Sequence, residues 1–133
     1  MRSIALLLVA PALAACSTTM EPTTRSAEAE AELQKLLAGK VAGHPTSCLP
    51  TYTSQNMVVI DDNTLAFRSG SRRVYVNHLR SGCERLGNGF YSLVTRSFGP
   101  GMCSGDIAQV AHLPSGVTVG SCVLGDFVPY TRP

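Results

Sequence analysis

The pattern of apolar and polar positions divides the chain into four regimes. Ile4 to Leu13 is an apolar run broken only by Pro11. Ser17 to Arg25 is rich in Ser, Thr, Pro and charge, a composition that buries little and predicts a flexible tether. From Ser26 to about Lys40, Ala29, Leu33, Leu36 and Leu37 recur at helical spacing, which predicts an amphipathic helix packed on the domain by one stripe. Ser26 can cap it, Glu28, Glu30 and Glu32 sit early, Lys35 and Lys40 sit late, and Gly39 lies near the exit.

Beyond Cys48 the period changes to two. Met57–Ile60 and Thr64–Arg68 flank the turn formers Asp61, Asp62 and Asn63. Ser69-Gly70-Ser71 leads into Arg73–Leu79, where Val74, Val76 and His78 alternate with Tyr75, Asn77 and Leu79. Further runs at Phe90–Arg96, Ile107–Leu113, Val117–Val123 and Phe127–Tyr130 are separated by Gly- and Pro-containing breaks. No connection is long enough for repeated parallel crossovers. The predicted fold is mainly β: a small antiparallel meander closed as a barrel or a sandwich, with one short N-terminal α-helix and two disulfides.

The first apolar run is too short for a membrane span of about 20 residues. Arg2 precedes it, and Leu13-Ala14-Ala15-Cys16 closes it in the pattern of the bacterial lipobox. That resemblance implies diacylglyceryl transfer to the Cys16 thiol, cleavage before Cys16 and acylation of the new amino terminus. The predicted organisation is a cleaved lipoprotein signal peptide (1–15), a lipidated tether (16–25), the amphipathic helix (26–42) and a stapled β-domain (43–133). Ser17 stands where Asp is the usual signal for inner-membrane retention, so the expected address is the outer membrane, facing the periplasm.

Removing Cys16 leaves Cys48, Cys83, Cys103 and Cys122, and an even number in an exported domain predicts two disulfides. Three pairings can be drawn. Cys48–Cys83 with Cys103–Cys122 is preferred, because each then brackets a predicted hairpin or meander. No C-x-x-C pair is present to support redox or zinc chemistry.

Charge and composition narrow the function further. Charged residues are 15%, below the roughly 25% of ordinary domains, and the net charge is +2. Nucleic acid is therefore not an expected partner. The chain has no Trp, so an aromatic sugar- or base-stacking platform is not expected either. Residues 43–133 carry seven Arg against five Asp or Glu, a mild excess read first as a solvated surface, with an acidic partner or an anionic membrane face as the alternative. Arg72 and Arg73 with Tyr75 form a small basic and aromatic patch within it.

His44, His78 and His112 are too far apart in sequence to place two metal ligands on one element, and no metal or other cofactor is expected. Ser104, Asp106 and His112 are the residues from which a nucleophilic triad can be assembled. Ser104 does not occupy the middle position of a G-x-S-x-G elbow, and Cys103-Ser104-Gly105-Asp106 reads better as a tight turn. Asp61 and Asp62 are likewise read as a turn that bonds backbone amides rather than as paired catalytic carboxylates.

Val59-Ile60-Asp61-Asp62-Asn63-Thr64-Leu65-Ala66-Phe67, Val74-Tyr75-Val76-Asn77, the ordered cysteines and the closing Cys122–Tyr130 block resemble one bacterial family. Leu37–Gly43 extends the likeness at its front. The family consists of small exported or lipidated proteins catalogued as a domain of unknown function. The resemblance spans roughly 33–131 and implies a shared fold and an exported location. The expectation is a non-enzymatic lipoprotein, held to a bilayer through acylated Cys16, that acts as a binding or structural module on a protein of the envelope. An inhibitor of a lytic enzyme or protease, and a barrel holding a small ligand, are the alternatives.

Overall fold

The computed structural model describes residues 25–96, 99 and 101–133. The expected leader, the expected lipidation site Cys16 and the expected tether as far as Thr24 lie outside the described residues.

Helix α1 spans Ala27–Leu37. The Ser26 hydroxyl caps it by accepting the Ala29 N–H at 3.2 Å, and Glu28 and Glu30 occupy its first turn. Gly39, at φ +68°, turns the chain out of the helix. Val41 and Ala42, expected in the helix, instead form strand β1 against the last strand of the chain.

Nine more strands follow: β2 (Cys48–Pro50), β3 (Met57–Asp61), β4 (Thr64–Ser69), β5 (Arg73–His78), β6 (Tyr91–Thr95), β7 (Gly101–Cys103), β8 (Ile107–His112), β9 (Thr118–Val123) and β10 (Phe127–Thr131). They form a five-stranded sheet ordered β1-β10-β5-β4-β3, a two-stranded sheet β2-β7 and a three-stranded sheet β6-β8-β9, with every pair antiparallel. Only β3-β4-β5 is a simple meander. After β9 the chain passes Gly125 and β10 joins β5, so the sheets are not closed into a barrel.

The five-stranded sheet is covered on both faces. Ala66, Val74, Val76 and Ile60 meet Ala29 and Leu33 of α1, with Leu36 and Leu37 at the margin. The predicted helical stripe is thus a packing stripe. Leu65, Phe67, Tyr75 and Phe127 point the other way, into a larger core with Leu49, Met102, Ala108, Val110 and Leu124. Double cover explains why β4 is buried at four successive positions, Thr64–Phe67. Phe67 and Phe127 meet edge to face at 5.8 Å between ring centroids in this core.

The cysteines pair as Cys48–Cys103 and Cys83–Cys122, which corrects the preferred Cys48–Cys83 and Cys103–Cys122. The reason lies in strands that have little pattern of their own. Cys48 and Cys103 stand directly opposite each other in the β2–β7 ladder, 55 residues apart in sequence. Cys83 follows β5 and is fixed by its N–H to the Asp62 carbonyl at 2.7 Å. Its partner Cys122 lies on β9, so this bridge staples the loop after β5 to the three-stranded sheet.

Candidate functional site

The three residues considered for a triad do not converge. The Ser104 hydroxyl accepts a hydrogen bond from Arg80 Nη2 at 2.9 Å. Asp106 Oδ2 accepts the Cys103 N–H at 2.8 Å, which closes a local turn in front of β8. His112 ends that strand, about 17 Å further along at ~3.3 Å per residue. There its Nδ1 meets the Ser115 hydroxyl at 2.8 Å and its ring lies against Tyr91. A base so far from its hydroxyl cannot activate it. Among the described residues no three His, Cys, Asp or Glu side chains gather as a metal site.

The aspartates of the β3–β4 turn do structural work. Asp62 accepts the Arg85 N–H at 3.2 Å and the Gly87 N–H at 2.8 Å, and so holds the loop in which Arg85 takes φ +71°. Asp61 accepts the Asn63 N–H at 2.8 Å through Oδ1 and Arg25 Nε at 2.8 Å through Oδ2. Arg25 also donates to Glu30 at 2.9 Å and to Thr64 Oγ1 at 2.7 Å. It therefore ties the first turn of α1 to the hairpin. Composition placed Arg25 in the tether, but these contacts make it part of the folded domain. Nothing in its local sequence signals this, because its partners lie up to 39 residues away.

Burial disfavours the Asp61 carboxylate. The hydrogen bonds from Arg25 and the Asn63 N–H outweigh that effect, with help from the guanidinium charge, and hold the carboxyl below its ordinary range. Glu30 is lowered as well, first by the Gln34 amide and then by Arg25. A cleft of about 470 Å³ opens beside this junction, lined by Arg25, Ile60, Asp61, Asp62, Thr64 and His78 among others. Arg25, Asp61 and Asp62 are each engaged in the contacts that hold helix, hairpin and loop together. This cleft is a structural junction.

The three-stranded sheet offers a different kind of surface. Ala108 and Val110 of β8 point into the core, so Ile107, Gln109 and Ala111 point outward. The register sets Val94 of β6 and Ser121 of β9 beside Gln109, Ser92 and Thr118 beside Ala111, and Val123 beside Ile107. None of these outward positions carries a charge. Ile107 is 61% exposed and Val94 45% exposed. A depression of about 330 Å³ lies where Arg96, Asp106, Ile107 and Gln109 meet. Both flanking strands, β6 and β9, are sheet edges. Sequence alternation located these strands but could not tell which face would be covered. The cover comes from residues as remote as Leu49 and Phe67.

Among the described residues no helix is long and apolar enough to cross a membrane. No protein-family model, curated protein or solved structure matches this chain.

Proposed function

We propose that this protein is a lipid-anchored domain of the bacterial envelope that acts by binding another protein, without catalysis of its own. The observation that carries the binding reading is the uncharged outer face of β6-β8-β9, with Ile107 and Val94 exposed on it. A solvated sheet face ordinarily carries polar and charged side chains, whereas the cores of protein interfaces are depleted in charge. The lipobox ending at Cys16 supports the anchor, and Ser17 supports the outer membrane as its location. Two disulfides suit the oxidising periplasm. We further take the five- and three-stranded sheets as a sandwich-like stack across Phe67, Phe127 and Val110. The chain would on its resemblance join the small exported proteins described above.

The test is crosslinking in living cells, with the full chain carrying a C-terminal tag and mass spectrometry of what it captures. The expected result is one reproducible, near-stoichiometric envelope protein, lost when Ile107→Glu and Val94→Glu are introduced together into a chain that still folds. Capture unchanged by those substitutions, or no capture from an intact membrane-bound chain, would reject the face. A captured muramidase or protease would make the module an inhibitor, checked by its effect on that enzyme's activity.

A further inference from the structure

Along the five-stranded sheet the acids of residues 43–133 gather at one end and four of the seven arginines at the other. Asp61, Asp62, Glu84, Asp106 and Asp126 are all the acids of residues 43–133. They lie at the end where Thr64 pairs with His78 and Phe127 with Asn77. Asp61 opposes Thr64, Asp126 precedes Phe127, Glu84 lies beside the Asp62-bound Cys83, and Asp106 bonds the Leu124 N–H. At the opposite end Ser69 pairs with Arg73 and Arg73 with Thr131. That register brings Arg68, Arg72, Arg73 and Arg132 together, and the pairing of Val41 with Thr131 adds Lys40. Both salt bridges found among the described residues belong to Arg25, at the acidic end.

The cations of the basic end are arranged around a concavity. Arg72, Arg73 and Arg132 line a cleft of about 350 Å³ together with the hydroxyl-bearing Ser69 and Thr131. Arg73 Nε donates to Thr131 Oγ1 at 3.2 Å, and its Nη1 lies 3.5 Å from the Tyr75 hydroxyl. Arg72 Nη2 donates to the Pro133 main-chain oxygen at 3.2 Å, while the Arg132 N–H donates to the Arg72 carbonyl at 2.9 Å. Two of the three guanidinium groups are thus steered by neighbouring oxygens, and each keeps further N–H donors for a ligand.

We propose that this cleft binds a phosphate group. Guanidinium forks match the paired oxygens of phosphate, and three of them with two hydroxyls suit a dianion better than a single carboxylate. Three like charges line the cleft without an Asp or Glu side chain among them, which is unfavourable to the free domain, and an anion relieves it. The site goes beyond the protein-binding face and does not depend on it. Since Arg25 is fixed at the acidic end, a chain anchored upstream of that residue is attached at the pole opposite the cleft. Lipid headgroups and free phosphate compounds share the required chemistry, so the experiment separates them.

The full chain is titrated with inorganic phosphate at constant ionic strength, following the arginine Nε–Hε resonances by NMR, with chloride as the control. In parallel the unacylated full chain, Cys16→Ser, is sedimented with vesicles of phosphatidylglycerol or of phosphatidylcholine, so that binding does not come from the acyl anchor. Saturable shifts with phosphate, weakened about tenfold or more by Arg73→Gln and unchanged by Arg85→Gln, support a site for free phosphate compounds. Sedimentation with phosphatidylglycerol alone, lost in Arg73→Gln and Arg72→Gln chains of unchanged thermal stability, supports a headgroup site. Neither response, or responses identical in all the variants, overturns the proposal.

Discussion

Replacing Cys83 and Cys122 together by alanine is expected to lower the stability of the full chain by about 4 kcal/mol. The bridge closes a loop of 39 residues, and the chain-entropy relation assigns a crosslink of that span about 4 kcal/mol. That is a large part of the 5–15 kcal/mol by which small domains are stable. Both sulfurs are buried in the larger core, so their removal also leaves unfilled volume beside Leu124 and Ala108. The Cys48–Cys103 bridge spans 55 residues and is similar in its entropy term. Cys48, however, is exposed, so losing that bridge disturbs the core less. Urea unfolding of the two double variants measures the difference. A loss below about 1 kcal/mol for the Cys83 and Cys122 pair would contradict the assigned role. Peptide mapping that recovered Cys48 joined to Cys83 would contradict the pairing itself.

Asn77→Leu is expected to cost about 3 kcal/mol without changing the fold. Asn77 is fully buried one residue from the end of β5, on the face it shares with Tyr75, where an apolar residue would ordinarily stand. Its Nδ2 donates to the Gly125 carbonyl at 2.7 Å and its Oδ1 accepts the Gly125 N–H at 3.0 Å. Leucine fills the space but leaves a buried donor and a buried acceptor unpaired, each worth about 1–3 kcal/mol. The pair marks the point where the chain leaves β9 for β10. Gly125 is required there for a second reason: a Cβ at this position would overlap the His78 carbonyl oxygen. Gly125→Ala should therefore destabilise through backbone displacement, by about 1–3 kcal/mol or more. Because both substitutions break one contact, the double variant should lose less than the sum of the two. Urea midpoints for the three variants decide this. An Asn77→Leu chain within about 0.5 kcal/mol of the parent would show that water or a local shift satisfies Gly125.

The parts of the fold legible in the sequence are those whose pattern is carried locally. Ser26, the early glutamates and the Ala29–Leu33 spacing specify α1 before any partner is considered. Asp61-Asp62-Asn63 and Ser69-Gly70-Ser71 punctuate β3, β4 and β5 in the same local way. The missed strands β1, β2 and β7 are two or three residues long, too short to show a period. They exist because a partner strand lies beside them. The cysteine pairing failed for the same cause, since the β2–β7 ladder that sets Cys48 against Cys103 is itself invisible locally. Val74 and Val76 could be seen to alternate with Tyr75 and Asn77. That both sets are buried follows only from a helix on one face and a second sheet on the other. The candidate surfaces were less legible still. Arg72 and Arg73 were visible as a pair, but strand register is what adds Arg132 to them and sets Asp61 and Asp126 at the far end.

The account turns on Cys16, because an envelope role depends on lipidation at that residue. Three acyl chains, at ~0.8 kcal/mol for each buried methylene, hold a protein to a bilayer far more firmly than any tether contact. The most direct test is the intact mass and N-terminal peptide mass of the protein extracted from the membranes of bacterial cells that express it. The expected species begins at Cys16 and carries a diacylglyceryl group and an amide-linked acyl chain, while a Cys16→Ser chain lacks both and leaves the membrane fraction. A native chain that retains Met1–Ala15, or that begins at an unmodified Cys16, would contradict the central claim.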